Sequence, residues 1–207
     1  MSHKPVIAVD LDDVLYPTAQ HLADIVGEPL GIAIDAYHGD RRLREVVASK
    51  TGMSLNEAAA LSRRAFLHED FAVMKPFPAA LEAIYELAAT HDIVAVTARS
   101  NEIHATTRRV IERDFGNLIR EVYFPNTERW SDEPIDKLPH LREVGAVWLI
   151  DDRLSHVEHL GELGIHGGLF GNYPWNQIDA LPHGVVRLAN WPEAVRAIRD
   201  GGVHSLS

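Results

Sequence analysis

The chain has 207 residues, enough for one domain with a modest insertion around a buried core. Its hydrophobic fraction of 46% and charged fraction of 24% are ordinary for a globular protein. A formal charge of −10 argues against a nonspecific binder of nucleic-acid polymer or anionic membrane, since either needs a basic face; it leaves room for a small phosphorylated substrate held through a divalent cation. No apolar run reaches transmembrane length, and Asp10, Asp12 and Asp13 stand where a signal peptide would need small residues, so a cytoplasmic location is expected. The absence of cysteine removes disulfides, thiolate nucleophiles and cysteine zinc sites.

The first element is an apolar strand at Pro5–Asp10 that runs straight into Asp10-Leu11-Asp12-Asp13. From about Tyr16 to Lys75 the signals are helical only, among them a capping box at Ser54-Leu55-Asn56-Glu57. A helix follows Pro76 and Pro78, with Leu81, Ile84, Tyr85 and Ala88 on one face. Next come a strand at Asp92–Thr97 and a helix with Ser100 as N-cap, burying Ile103, Val110, Ile111 and Phe115. Strands are expected at Glu121–Phe124, Ala146–Ile150, Ile165–Phe170 and Val185–Leu188. A helix from about Leu154 should end near Gly164, and Asn190-Trp191-Pro192 should open the last helix. β-Branched, non-alternating strands separated by helices mean an α/β doubly wound parallel sheet of Rossmann-like form. The expected division is a core of residues 1–15 and 76–207, with a small helical cap, 16–75, inserted after the first strand.

In such sheets the ligand site lies at the carboxyl ends of the strands. This sequence delivers Asp10 and Asp12 there from the first strand, Thr97 from the second, and Asp151 and Asp152 from the fourth; Lys137 precedes the fourth. Oxygen-only ligands with several carboxylates favour Mg²⁺. One carboxylate can attack phosphorus, a second can move the proton of the leaving group or of water, and hydroxyl and ammonium donors can stabilise the phosphoryl oxygens.

Four motifs in order carry a resemblance to the haloacid dehalogenase superfamily of phosphohydrolases: VIAVDLDDVL, the threonine of VAVTAR, Lys137, and LIDD. The resemblance implies Asp10 as nucleophile and Asp12 as general acid/base, with the Asp12 carbonyl also on the metal. It places Thr97 and Lys137 on the transferring phosphoryl group, with Ala98 and Arg99 as adjoining substrate-binding positions. Asp152 would be the direct Mg²⁺ ligand of its pair, and Asp151 would act directly or through water. A helical cap between the first two motifs also matches the superfamily.

The stretches GGLFGNYPWNQ and MKPFPAALEAIYELAATHDIVAVTARS look more narrowly like the 5′(3′)-deoxyribonucleotidase branch, which implies nucleoside monophosphates as substrates. The chain departs from that branch in three ways. Asp13 stands where members often carry Gly, Ala98-Arg99 replaces Ser-Pro, and Trp130, Trp148, Trp175 and Trp191 all fall outside the cap, which offers Tyr16, Tyr37, Phe66 and Phe71. A phosphatase for a non-nucleotide metabolite is the alternative within the class.

Other classes account for less of the pattern. A calcium loop from Asp10 fails, with Leu15 at the glycine position and His21 at the glutamate position. A glycosyltransferase would leave Thr97, Lys137 and LIDD without a role. A phosphate-binding or receiver-type signalling module has the same residue types, but receivers put the acidic pair first and the phosphorylated aspartate later. His156 and His159 read as a solvent-facing pair. Arg41, Arg42, Arg44, Arg63 and Arg64 read mostly as a solvated face, with one of them reaching a substrate anion as the minority expectation. Tyr173-Pro174-Trp175 reads as a packed turn beside the site. The sequence leaves open a homodimer, the phosphomonoester, and the phosphate acceptor.

Overall fold

The computed structural model describes residues 4–37, 42–128 and 135–201. Six parallel strands form one sheet in the order β3-β2-β1-β4-β5-β6. They are β1 Val6–Val9, β2 Asp92–Val96, β3 Ile119–Tyr123, β4 Ala146–Asp151, β5 His166–Phe170 and β6 Val185–Leu188. All six expected strands are present, and the order makes the chain an α/β, Rossmann-like, doubly wound protein. The winding reverses between β1 and β4, where Val9 pairs with Ile150.

Side-chain alternation along β1 sorts the core into two layers. Ile7 and Val9 pack with helices α5 (Pro78–Ala88), α6 (His104–Phe115) and α9 (Trp191–Arg199). Ala8 points the other way, with Val94, Val96 and Leu149, onto α7 (Leu138–Val144) and α8 (Leu154–Val157). The first layer continues into the helices inserted between β1 and β2: α1 Thr18–Gly27, α2 Leu43–Thr51, α3 Leu55–Phe66 and α4 Glu69–Val73. Among the described residues the segment from Tyr16 to Lys75 holds no strand of the sheet. Outgoing and returning segments of this insertion meet, the Phe77 N–H donating to the Leu15 carbonyl at 2.9 Å. Arg113 of α6 pins the returning segment through the carbonyls of Ala72 (2.5 Å) and Met74 (2.7 Å).

Most helix signals hold. Ser54 and Glu57 close their capping box at the start of α3, and the Asn190 side chain accepts from the Glu193 N–H at the start of α9. Three expectations need correction. Tyr85 is 73% exposed, because α5 buries Ala80, Ala83, Ile84 and Leu87 and so presents a stripe rotated from the one expected. Ser100 caps no helix with its side chain: a 3₁₀ turn at Asn101–Ile103 intervenes before α6, and the buried Ser100 Oγ has no hydrogen-bond partner among the described residues. The helix at Leu154 lasts one turn, followed by a 3₁₀ turn at Gly161–Leu163 that ends on left-handed Gly164. No helix among the described residues is long and apolar enough to cross a membrane.

Candidate active site

Asp10 is the first residue beyond β1, and its N–H donates to the Ile150 carbonyl at 2.9 Å, which seats it against the end of β4. There it meets Asp151 and Asp152. One carboxylate oxygen from each of the three lies within 4.8 Å of the others, and all three residues are buried. Lys137, which lies ahead of the fourth strand and which the resemblance puts on the phosphoryl group, is itself buried and stands between two of them. Its Nζ donates to Asp10 Oδ1 at 2.5 Å and to Asp151 Oδ2 at 2.7 Å. The segment that ends at the start of α7 drives this ammonium into the site, which a solvated helix lysine would not do.

The electrostatics follow from burial and from which carboxylate owns the cation. Burial pushes the Asp10 carboxyl up and the Lys137 ammonium pulls it part of the way back, leaving it at about 6. Burial acts likewise on Asp151, but Lys137 and His156 outweigh it and hold that carboxyl well below the usual range. Asp152 goes the opposite way: burial, then the charges of Asp151 and Asp10, raise it well above the usual value. Burial works against the Lys137 charge too, yet its two carboxylates keep it protonated more firmly than a free lysine. Three clustered carboxylates with one lysine carry excess negative charge in a dry, oxygen-only setting, which fits a hard divalent cation such as Mg²⁺. The oxygens of Asp151 are already engaged by Lys137, His156 Nδ1 (3.0 Å) and the Arg153 N–H (2.9 Å), so Asp152 has more freedom to ligate directly.

The remaining Asp-x-Asp carboxylate faces elsewhere. Asp12 donates its N–H to Asp10 Oδ2 (3.1 Å), while its side chain accepts from Arg99 Nη2 (2.6 Å), Arg99 Nε (3.1 Å) and Thr18 Oγ1 (2.6 Å). Burial opposes ionisation of Asp12, but the Arg99 guanidinium prevails and holds the carboxyl below its ordinary value. The Arg99 side chain is 1% exposed; it also donates to Thr107 Oγ1 (3.2 Å) and lies 5.0 Å from the centre of the Phe71 ring of α4. The structure therefore turns Arg99 inward onto Asp12.

Thr97 follows β2, next to β1 in the sheet, and its hydroxyl accepts from the Arg99 N–H at 3.4 Å. The Ala98 carbonyl is held by Asn126 Nδ2 at 3.2 Å. Asp13 takes up a left-handed conformation (φ 58°), which Asp tolerates better than most residues and glycine adopts freely. Burial raises its carboxyl to about 7, while the Ala19 N–H (3.1 Å) and Tyr37 OH (2.9 Å) donate to it.

Several residues around the site were not singled out from sequence. Thr18 and Asn126 reach it only through the fold, although Asn126 follows a strand end as Asp10, Thr97 and Asp152 do. His156 is a correction: it is not half of a solvent-facing pair but bonds Asp151, while His159 is exposed beside Glu158. Arg41 and Trp130 lie outside the described residues.

No protein-family profile and no curated protein sequence matches the chain. Solved structures do. A haloacid dehalogenase-like family hydrolase from Streptococcus pneumoniae superposes with a TM-score of 0.64 at 16% identity, covering 96% of this chain and 100% of that one. Protein Tyrosine Kinase A from Mycobacterium tuberculosis gives 0.68 at 18% identity, over 96% and 99% of the two chains. The HAD-hydrolase YfnB from Bacillus subtilis, solved bound to magnesium, gives 0.63 at 13% identity, over 95% and 99%. The chain has the fold of the haloacid dehalogenase-like hydrolases.

Proposed function

We propose that the protein is a Mg²⁺-dependent phosphomonoester hydrolase of the haloacid dehalogenase superfamily, acting through an aspartyl-phosphate on Asp10. One observation carries this reading: the buried Lys137 ammonium bridges Asp10 and Asp151 while Asp10, Asp151 and Asp152 crowd their oxygens together at the point where the sheet reverses. One lysine does not balance three buried carboxylates, and a buried charge left unpaired costs several kcal/mol, so the cluster calls for a further cation.

Asp10, Asp152 and the Asp12 carbonyl would hold the ion, with Asp151 contributing directly or through water. Bound Mg²⁺ supplies charge neutralisation for the phosphoryl oxygens. Asp10 attacks phosphorus, and the bond from phosphorus to the leaving oxygen breaks. Asp12, which must first take up a proton against the pull of Arg99, gives it to the leaving alkoxide and, ionised again, removes one from the water that hydrolyses the aspartyl-phosphate. Lys137 and Thr97 supply donors to the phosphoryl oxygens. Arg99 serves this site through Asp12.

Residues 16–75 act as a cap on a core of 1–15 and 76–207. Support comes from the meeting of Leu15 and Phe77 at its base, and from the contacts by which Thr18, Tyr37 and Phe71 reach Asp12, Asp13 and Arg99. Small phosphorylated metabolites are the substrate class, with nucleoside monophosphates the first members to try.

The test is inorganic phosphate release from a panel of 5′- and 3′-deoxynucleotides, ribonucleotides, sugar phosphates and phosphoglycolate, with and without Mg²⁺, alongside Asp10→Asn. Metal-dependent release that the variant loses is expected. No release from any of them, with Mg²⁺ still bound, would leave a non-catalytic phosphate-binding protein. Exchanging Arg42 and Arg44 singly for alanine then asks whether the cap selects the substrate; an unchanged profile would count against those two arginines.

A further inference from the structure

The turn after β5 is built around the metal-ligand candidate Asp152. Gly171, left-handed at φ 75°, lets Tyr173 fold back so closely that a Cβ at 171 would stand 2.2 Å from the tyrosine ring. Asn176, 1% exposed, donates to the carbonyls of Phe170 (2.8 Å) and Asp152 (3.1 Å). Its own oxygen accepts from Arg187 at 2.8 Å, and Arg187 also reaches the carbonyls of Gly171 and Asn176. The turn is thus fastened to the backbone of Asp152 and to β6.

Trp175 completes it from the side-chain end. Its Nε1–H donates to Asp152 Oδ2 at 2.6 Å. The ring packs nearly parallel to Tyr173 (4.8 Å between centroids, 6° between planes) and also touches Tyr37 from the insertion (6.0 Å). Both tyrosines are tied at their tips to Asp13, through its carbonyl (Tyr173, 2.7 Å) and its carboxylate (Tyr37, 2.9 Å). The indole therefore has little freedom to turn. Packing alone needs only some acceptor for a buried indole N–H, and the core Trp191 finds one in the Val14 carbonyl at 3.1 Å. Trp175 instead engages a carboxylate of the three-aspartate cluster.

We propose that Trp175 is a positioning residue for Asp152: its N–H fixes Oδ2 so that Oδ1 is presented toward Asp10 and Asp151 as a one-oxygen metal ligand. The proposal rests on Asp152 being a ligand, as read above. Partners that orient ligands from behind are worth about 10- to 100-fold in metal affinity. Trp175→Phe keeps a ring in the stack and removes the donor, together with part of the surface over which Arg153 lies (5.5 Å to the ring centre), its Nε 3.5 Å from Asp152 Oδ2.

The experiment is calorimetric Mg²⁺ titration of the metal-free protein, its Trp175→Phe variant and its Asp152→Asn variant, each checked for native circular dichroism. Trp175→Phe should bind about tenfold or more weakly, and Asp152→Asn should lose binding. If Trp175→Phe binds as the wild type does while Asp152→Asn does not, the positioning role falls and the metal site stands. If Asp152→Asn binds as the wild type does, Asp152 is no ligand and both readings fall. Should Trp175→Phe fail to fold, the indole ¹⁵N–H resonance of Trp175 in the wild type decides. It should shift with Mg²⁺ along the calorimetric binding curve, and an unmoved resonance overturns the proposal.

Discussion

Arg99 Nη2 lies 2.6 Å from Asp12 Oδ1, joining residues 87 apart in the chain, and the arginine is almost wholly buried. A base that takes a proton from water profits from being ionised; an acid that protonates an alkoxide does not. Removing Arg99 takes away the largest counterweight to the burial of Asp12, leaving only the Thr18 hydroxyl and the Lys137 charge, so its carboxyl should rise. Arg99→Met should therefore move the optimum of kcat to higher pH, while Arg99→Lys should keep most of it in place. The check is a kcat profile between about pH 5 and 9, the range that spans acid and base limbs of such chemistry. An optimum unmoved in Arg99→Met would detach Arg99 from proton transfer.

The two carboxylates of Asp-x-Asp should fail differently. Asp10→Asn should cost up to about 10⁶-fold in turnover, the scale of losing a covalent nucleophile. Asp12→Asn should cost about 10²- to 10⁴-fold, the scale of general acid–base catalysis. Asp12→Asn should still form the aspartyl-phosphate from a substrate with a good leaving group, which rapid quench would show as a phosphate burst on the protein. Equal losses without a burst would mean the roles are wrongly divided.

Lys137 shares a site with two carboxylates that are 8% and 0% exposed at their side chains. Taking away one partner of a buried ion pair typically costs about 3–5 kcal/mol. Lys137→Met should lose that much in urea unfolding without metal, and Mg²⁺ should restore part of it. A loss under about 1 kcal/mol would make the pair no better than an exposed one.

Proton binding and metal binding should compete. The Asp10 carboxyl, at about 6, and that of Asp152, raised well above 3.8, hold protons more tightly in the fold than in the unfolded chain. Their effect on the metal-free protein is a loss of stability as pH rises above the unfolded value and through about 6. Asp12 and Asp151 are depressed, so their stabilisation is present above the unfolded value and lost as pH falls through their folded ones. Asp13, raised to about 7, acts in the same direction as Asp10 and Asp152, while His91 and His166, lowered by burial, act against them from partly exposed positions. With three raised carboxyls outweighing the histidines, melting temperature in EDTA should fall on going from pH 5 to 7, and the increment from Mg²⁺ should grow over the same range. A Mg²⁺ increment that is flat with pH would show that the ion displaces no protons from these groups.

The strands were legible because fully buried parallel strands are written in runs such as VIAV, DIVAV and AVWLID, which no amphipathic helix resembles. The carboxylates were legible because strand ends collect at one edge whatever the details of packing. What escaped was pairing. Nothing near Arg99 announces Asp12, and His156 looks like any helix histidine until β4 sets Asp151 beside it. Trp175 stands 23 residues from Asp152, and their contact depends on a glycine turn and an asparagine that sequence periodicity does not register. Ser100 misled for the opposite reason: a good capping residue lost its helix to a 3₁₀ turn.

The meeting of Leu15 and Phe77 has a consequence beyond the present chemistry. A chain that departs and comes back through one hydrogen-bonded gate can vary beyond the gate without changing the register of any strand. That latitude stops at Thr18, Tyr37 and Phe71, which reach back to Asp12, Asp13 and Arg99. The parts of the insertion remote from those three can be lengthened or trimmed while β1, β2 and the aspartates at their rim stay where they are.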